Sequence, residues 1–491
     1  MIKEKTTHPA PAPLRTLFGY ALGEGATALT IWSVAGFGML FYTQILGMNA
    51  AMAGLVLAIT LLLDAVIDPV MGFISDNTRT RFGRRHIYML TGGIGLALAY
   101  LLLWRVPLLF NGPLALFICI LTMNMLLRTA STIYGVPYAA LGFEVCTEYA
   151  DRSRLQGIRL FLAQIINLFA SGLAWVVFFK DGVAADGTRL DGGLIKANYM
   201  HMSLTMGLLA LTLVILCTWV TRKYAVDNRH DVVERKGIKD FFHTFGQVLS
   251  NRLAWPVLGF FCIAQLGMFL TGVMNTFNMI YFMKLSSSAK SWVMGLSIFT
   301  FALASLGLAR LVKRFDKKTI GFLGIALSAA SGLILFAVFR SGLATPEMTV
   351  SLAGRTISVG VVVFAFFTMT FQAGWGLTVP LTSSMIADVS EIDFRKNGHV
   401  RDGSYAAILS FFVKLSVALG DLVVGGLLQW VGIISGCEVQ TPEAIRKLSS
   451  AAFLCGPALL IPALIVLCFY PVNRAFMARL HAGGFNQEEP K

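Results

Sequence analysis

Residues 51–85 read AMAGLVLAITLLLDAVIDPVMGFISDNTRTRFGRR, and most of the fold follows from them. From Ala51 to Ser75 the stretch is apolar enough to cross a hydrocarbon core roughly 30 Å thick as one helix. The arginines that follow, Arg79, Arg81, Arg84 and Arg85, stay out of lipid and mark a cytoplasmic end. The same ending recurs later in the chain: Arg81-Phe-Gly-Arg-Arg85 is echoed by Arg314-Phe-Asp-Lys-Lys318. The offset between the two matches the distance from the first apolar span to the seventh, so the chain reads as two similar halves.

The 491 residues are 56% hydrophobic and only 13% charged. A soluble fold of this length has no interior large enough for that surface, so lipid is its solvent. Spans are expected at 17–46, 51–75, 87–106, 112–142, 157–179 and 199–221 in the first half. In the second they fall at 254–283, 291–312, 320–340, 355–387, 403–433 and 450–471. The fold class is therefore an all-α membrane protein, twelve transmembrane helices in two six-helix halves with substrate bound between them, the major facilitator fold. The units are a tail at 1–16, a bundle at 17–221, a central loop at 222–252, a bundle at 253–471 and a tail at 472–491. Most of the 40 Lys and Arg fall in the tails, the central loop and the other even-numbered loops. That bias sets both termini in the cytoplasm.

The net charge of +14 does not indicate nucleic acid, which would need a basic face on a polar domain. The seven Cys are scattered without metal-ligand spacing, so no metal site is expected. No nucleotide-binding loop and no nucleophile–base pair is present, which leaves no support for a pump, an enzyme or a cofactor. Span one itself serves as the insertion signal.

Ionisable groups within spans are costly and need a partner or a task. Asp64 and Asp68 lie one turn apart on one face of span two, and two acids so close in low dielectric call for a proton, a cation or a base between them. The bases inside spans are Arg128, Arg159 and Lys414, and Lys414 comes from the opposite half. Glu24 is either a substrate or proton ligand or an acid near the headgroups. Asp421 reads as structural. Tyr134-Gly-Val-Pro137-Tyr138 is either a hinge or a fixed kink. Polar side chains suited to lining a cavity are Trp32, Tyr134, Tyr138, Gln164, Asn167, Asn275, Gln372 and Trp375. Loop charges suited to a gate are Asp76, Arg81, Arg84 and Arg85 after span two, Glu144, Glu148, Asp151, Arg152 and Arg154 after span four, and Asp388 and Arg401 after span ten.

The pattern Asp64-x-x-x-Asp68-Pro69-x-x-Gly72-x-x-x-Asp76-x-Thr78, followed by Gly83-Arg84-Arg85, resembles the glycoside–pentoside–hexuronide:cation symporters, the melibiose permease branch of the major facilitator superfamily. The likeness extends to Tyr20-x-x-Gly23-Glu24, Pro137-Tyr138-x-x-Leu141, Asp151-Arg152-x-Arg154-x-x-x-x-Arg159, and Ala387-Asp388 through Arg401-x-Gly403 to Lys414. It implies solute uptake coupled to Na⁺, Li⁺ or H⁺, with Asp64, Asp68 and Thr132 at the cation site and Lys414 as the family lysine. It also implies that Arg159 faces the cavity. Two departures stand out. Ile67 occupies the position of an Asn in the melibiose permease, which tilts the coupling ion from Na⁺ toward H⁺. Ala28 and Gly135 replace its two sugar-gripping aspartates, which disfavours melibiose.

The expected activity is cation-coupled symport of a glycoside or related sugar across the inner membrane by a monomer, with substrate ligands among Glu24, Tyr134, Tyr138, Arg159, Gln164, Gln372 and Trp375. The alternative keeps the fold and carries an amphipath such as a lysophospholipid.

Overall fold

The computed structural model describes residues 13–78, 80, 83–146, 149–183, 187–227, 246–352, 355–398 and 401–481. Twelve of its helices are long and apolar enough to cross a membrane. In the first half they are α1 (Leu14–Ile45), α2 (Ala50–Asn77), α3 (His86–Leu103), α4 (Pro113–Val145), α5 (Tyr149–Asn167, continuing to Val177) and α6 (Lys196–Val220). In the second they are α7 (Ala254–Tyr281), α8 (Ser287–Arg314), α9 (Lys317–Ser341), α10 (Val359–Asn397), α11 (Asp402–Val431) and α12 (Pro442–Cys468). The six-plus-six arrangement read from the repeat is the one observed.

The helices outrun several of the expected spans for one physical reason. Hydropathy locates lipid, whereas a helix ends where its backbone does. α10 continues past the expected 387 through Asp388, Glu391, Arg395 and Lys396, and stops where Gly398 takes a left-handed cap at φ 73°. α12 starts at Pro442 rather than 450, its first turns being the polar Glu443, Arg446 and Lys447. Helices also occupy parts of the expected tails and central loop, at Arg222–Asp227 and Arg474–His481. Both α1 and α5 contain a π-helical stretch, Phe41–Ile45 and Leu168–Leu173. Two small hairpins lie on the face away from the central loop: β1 (Gly182–Val183) with β2 (Arg189–Leu190), and β3 (Thr349–Leu352) with β4 (Arg355–Ser358).

Large apolar side chains such as Leu160, Phe299, Leu306 and Phe366 are exposed, as a lipid-facing surface requires. The halves meet chiefly where α2 runs along α11, and where α8 packs on the end of α5. Small residues let α2 and α11 touch backbone to backbone. Gly54 faces the Asp421 carbonyl, and Gly425 faces the Ala50 carbonyl. Further along the same seam, Ala58, Leu61 and Ala418 form an apolar plug.

A side chain at Gly425 would collide with the Ala50 carbonyl, and neither backbone can give way. Overpacking costs about 1–3 kcal/mol, so Gly425→Leu lowers the thermal midpoint of the purified protein. Gly426→Leu, where an added carbon meets open space, leaves the midpoint near the parent's. Equal midpoints for the two variants would show that α2 and α11 are not in close contact there.

Candidate functional site

The acid pair of α2 faces the seam between the halves, just beyond the apolar plug. Thr132 of α4 lies against both acids, its hydroxyl oxygen 2.8 Å from Asp64 Oδ1 and 2.9 Å from Asp68 Oδ1. Lys414 of α11 crosses from the other half and grips the opposite oxygens, 2.7 Å from Asp64 Oδ2 and 2.5 Å from Asp68 Oδ2. The four side chains close a ring of two carboxylates, one hydroxyl and one ammonium. Asp64 and Thr132 are buried, whereas the Asp68 side chain is 36% exposed, so Asp68 is the exposed edge of the ring. One hydroxyl carries one hydrogen, so Thr132 donates to one acid and meets the other as a bare oxygen or as the acceptor of its proton. With one cation for two acids, the ring keeps room for one more positive charge.

Glu24 and Arg159 form a second pair, both in the first half: Arg159 Nη2 is 2.5 Å and Nε 3.1 Å from Glu24 Oε2. The guanidinium also lies over the Tyr138 ring, 5.1 Å from its centroid, and over Tyr20 at 5.8 Å. Tyr134 and Tyr138 are buried in this state rather than set on a cavity wall. Tyr138 stacks on Tyr20, each donating its hydroxyl hydrogen to the other's carbonyl, and Tyr134 donates to the Gly23 carbonyl. This stack ties α4 to α1 around the Pro137 region. Gln164 carries a buried amide oxygen with no partner among the described residues. Gln372 and Trp375 lie on α10, where Trp375 stacks on Phe261 of α7. The acid ring and the Glu24–Arg159 pair are thus two separate polar sites.

Arg81 lies outside the described residues, as do the side chains of Asp76 and Arg152. Glu148 and the side chain of Asp151 also lie outside the described residues. Arg84, Arg85, Glu144, Asp388 and Arg401 form ion pairs, and each pair stays within one half. Arg84 and Arg85 both pair with Glu144, Lys317 pairs with Asp388 at 2.6 Å, and Arg401 pairs with Asp393 at 3.2 Å. The opposite face is held shut by bonds between the halves. The loop after α5 supplies Asp181, Arg189 and Asp191. Asp181 accepts from the Ser287 hydroxyl at 2.8 Å, and Arg189 donates to the Lys284 and Leu285 carbonyls. Lys290 of α8, whose side chain is 0% exposed, pairs with Asp191 and lies 4.3 Å from the Trp175 ring centroid. Tyr281 donates to Gln44 at 2.8 Å, also from half to half. The bonds crossing between halves gather at the acid ring and beyond it toward this closed face. Asp181 lies outside the spans. Burial raises its pKa, yet the hydrogen bonds from Ser287 and the Gly192 amide, with the Arg189 charge, outweigh that and hold it below the usual carboxylate value.

Sequence reading missed this seal, because Lys290 looks like an ordinary loop cation and only the fold brings Asp191 to it. Its available signal was the cluster of charges in the loop after span five. It also left Glu144 without its arginine partners.

Comparison with known proteins places these observations in a family. The family profile described as MFS/sugar transport protein matches residues 19–474. The inner membrane symporter YicJ of Escherichia coli is 23% identical, aligned over 93% of this chain and 91% of its own. The isoprimeverose transporter of Lactiplantibacillus pentosus is 23% identical over 90% and 85% of the two chains. The sodium-dependent lysophosphatidylcholine symporter 1-A of Danio rerio is 23% identical over 92% and 85%. Among solved structures, the xylose transporter XylE of E. coli in an inward open conformation superposes with a TM-score of 0.58 at 12% identity, covering 95% of this chain and 98% of that one. The last likeness concerns the fold alone.

Lys290→Met leaves Asp191 buried without its cation, a loss of about 3–5 kcal/mol for a broken buried pair. A cysteine introduced as Gln44→Cys, inside the seal, then reacts several times faster with a membrane-impermeant maleimide than in the Lys290 background. Equal reaction rates would mean that the pair does not hold this face shut.

Proposed function

The chain belongs to the MFS/sugar transport protein family, of the glycoside–pentoside–hexuronide:cation symporter type, and on that premise we propose that it couples uptake of a glycoside or related sugar to a proton. It is a multi-pass membrane transporter of the cation-coupled symport class and not an enzyme. The observation that carries the proposal is the ring in which Asp64 and Asp68 are held by Thr132 from their own half and Lys414 from the other. Loading the ring with a cation competes with Lys414 for the acids and so loosens the contact between halves. Substrate binding and cation binding then favour one another, since coupling free energy is reciprocal.

The donor set supports H⁺ over Na⁺. Hard cations gather several oxygen ligands, as Ca²⁺ and Mg²⁺ do. The ring offers two carboxylates and one hydroxyl, with an ammonium already present and Ile67 apolar beside Asp68. Glu24 and Arg159, side chains 29% and 17% exposed, are the polar pair we assign to substrate. Separated by a bound sugar, their hydrogen-bonding groups match hydroxyls or a hexuronide carboxylate. The Lys and Arg bias supports a cytoplasmic central loop and cytoplasmic termini in an inner-membrane protein. On that reading the face sealed by Lys290 and Asp191 is the outer one, and the closed outer face supports an inward-facing arrangement.

The test is external pH in lightly buffered, energy-depleted cells given pooled glycosides with and without Na⁺. The parent alkalinises the medium with one pool in the absence of Na⁺. A pH difference of about one unit then supports about tenfold accumulation, and Asp68→Asn accumulates nothing. Accumulation by Asp68→Asn equal to the parent's would overturn the role of the acid pair. Silence to every glycoside, with lysophosphatidylcholine taken up, would transfer the substrate to the amphipath class.

A further inference from the structure

Asp421 of α11 is buried at 7% exposure, yet it has no hydrogen bond and no direct ion pair among the described residues. A buried acid kept only for structure is normally paired or hydrogen-bonded, because an unmatched charge there costs several kcal/mol. Its position is regular with respect to the acid ring. Asp421 lies seven residues beyond Lys414, on the same helical face and about 10 Å nearer the sealed side. Arg128 lies four residues before Thr132 on α4, displaced in the same direction along the bundle. Arg128 is the cation whose charge acts on the Asp421 carboxyl, and the Tyr42 hydroxyl lies within the field of both. One turn further on, Asn124 hydrogen-bonds Tyr42. Asn124 with Tyr42, Arg128 with Asp421, and Thr132 with the acid ring therefore form three polar layers along α4. They follow one another a turn apart along α4, the first within the first half and the last joined to α11 through Lys414.

We infer that Asp421, with Arg128 as its counter-charge, is a second proton-binding station through which the coupling proton passes between the sealed side and the Asp64–Asp68 pair. This rests on the proton-coupled reading above. In the transfer an O–H bond at the Asp421 carboxyl breaks and one at the acid pair forms, and Arg128 faces the carboxylate left behind. The separation is too long for a single hop and the apolar plug of Ala58, Leu61 and Ala418 lies between them in this state, so the transfer follows the parting of α2 from α11, with the Thr132 hydroxyl as the last link since it touches both acids. Chains of ionisable side chains serve proton transfer in this manner inside membranes. The charged and titratable groups around Asp421 are Arg128 on α4 and Tyr42 on α1, with Lys414 two turns away on its own helix.

The test needs no substrate. Infrared spectra of the parent in liposomes, titrated with acid and base, resolve the C=O band of protonated carboxyl groups. Asp421→Asn is expected to lose one titrating component, and Asp421→Glu to shift it, which also controls for a variant that fails to fold. Asp68→Asn loses a different component. After a drop in pH on the sealed side, protonation of the acid pair is several-fold slower in Asp421→Asn and restored in Asp421→Glu. A spectrum of Asp421→Asn identical to the parent's, or an unchanged rate, would overturn the inference. Loss of the Asp421 component with no change in Asp68→Asn would instead contradict the acid-pair reading.

Discussion

The contact on which the structure turns is the reach of Lys414 across the seam to two carboxylates. Each acid alone in the bundle would be expensive, and together they would repel. One ammonium cannot fully neutralise both, but by bridging them it makes the presence of two acids tolerable and joins the two halves at one point. The Asp68 side of that point is exposed, whereas the apolar plug of Ala58, Leu61 and Ala418 closes the other. In the mechanism proposed above, a cation that satisfies the acids sets the lysine free. The same interaction therefore stores charge and holds the helices in place.

The rest of the molecule is arranged around that hinge of charge. Backbone contact at Gly54 and Gly425 lets α2 and α11 meet closely on the sealed side. The buried Lys290–Asp191 pair, the Asp181–Ser287 bond and the Arg189 contacts with Lys284 and Leu285 reinforce that closure. On the other face, the ion pairs of Arg84, Arg85, Lys317 and Arg401 rigidify each half internally. A bundle pinned at one face and at its middle is poised to rock about the middle, which is the motion alternating access requires.

What could be read from the sequence follows from what stands out in lipid. Asp64, Asp68 and Lys414 were legible because an ionisable residue inside an apolar run has few explanations. Thr132 was legible only through the family motif, since a threonine in a span is otherwise ordinary. Tyr134 and Tyr138 were expected at the cavity, but an aromatic ring fits a core equally well, and the stack with Tyr20 depends on a contact between distant helices. Lys290 and Asp191 were hidden for the same reason. Asp421 was read as structural, and its lack of a direct partner became visible only once its neighbours were placed. The ends of α10 and α12 were misjudged because hydropathy follows the bilayer and not the backbone hydrogen bonds.

The central claim is that the coupling ion and Lys414 are alternative partners of the same two acids. The most direct measurement is proton uptake by the purified protein on addition of its glycoside, followed in a weak buffer without Na⁺, for the parent and for Lys414→Ala. The parent should take up a proton as substrate binds and the lysine gives way. Lys414→Ala should take up none, because it has no lysine to be displaced from the acids as substrate binds. Equal uptake by both proteins, or uptake by neither, would contradict the account.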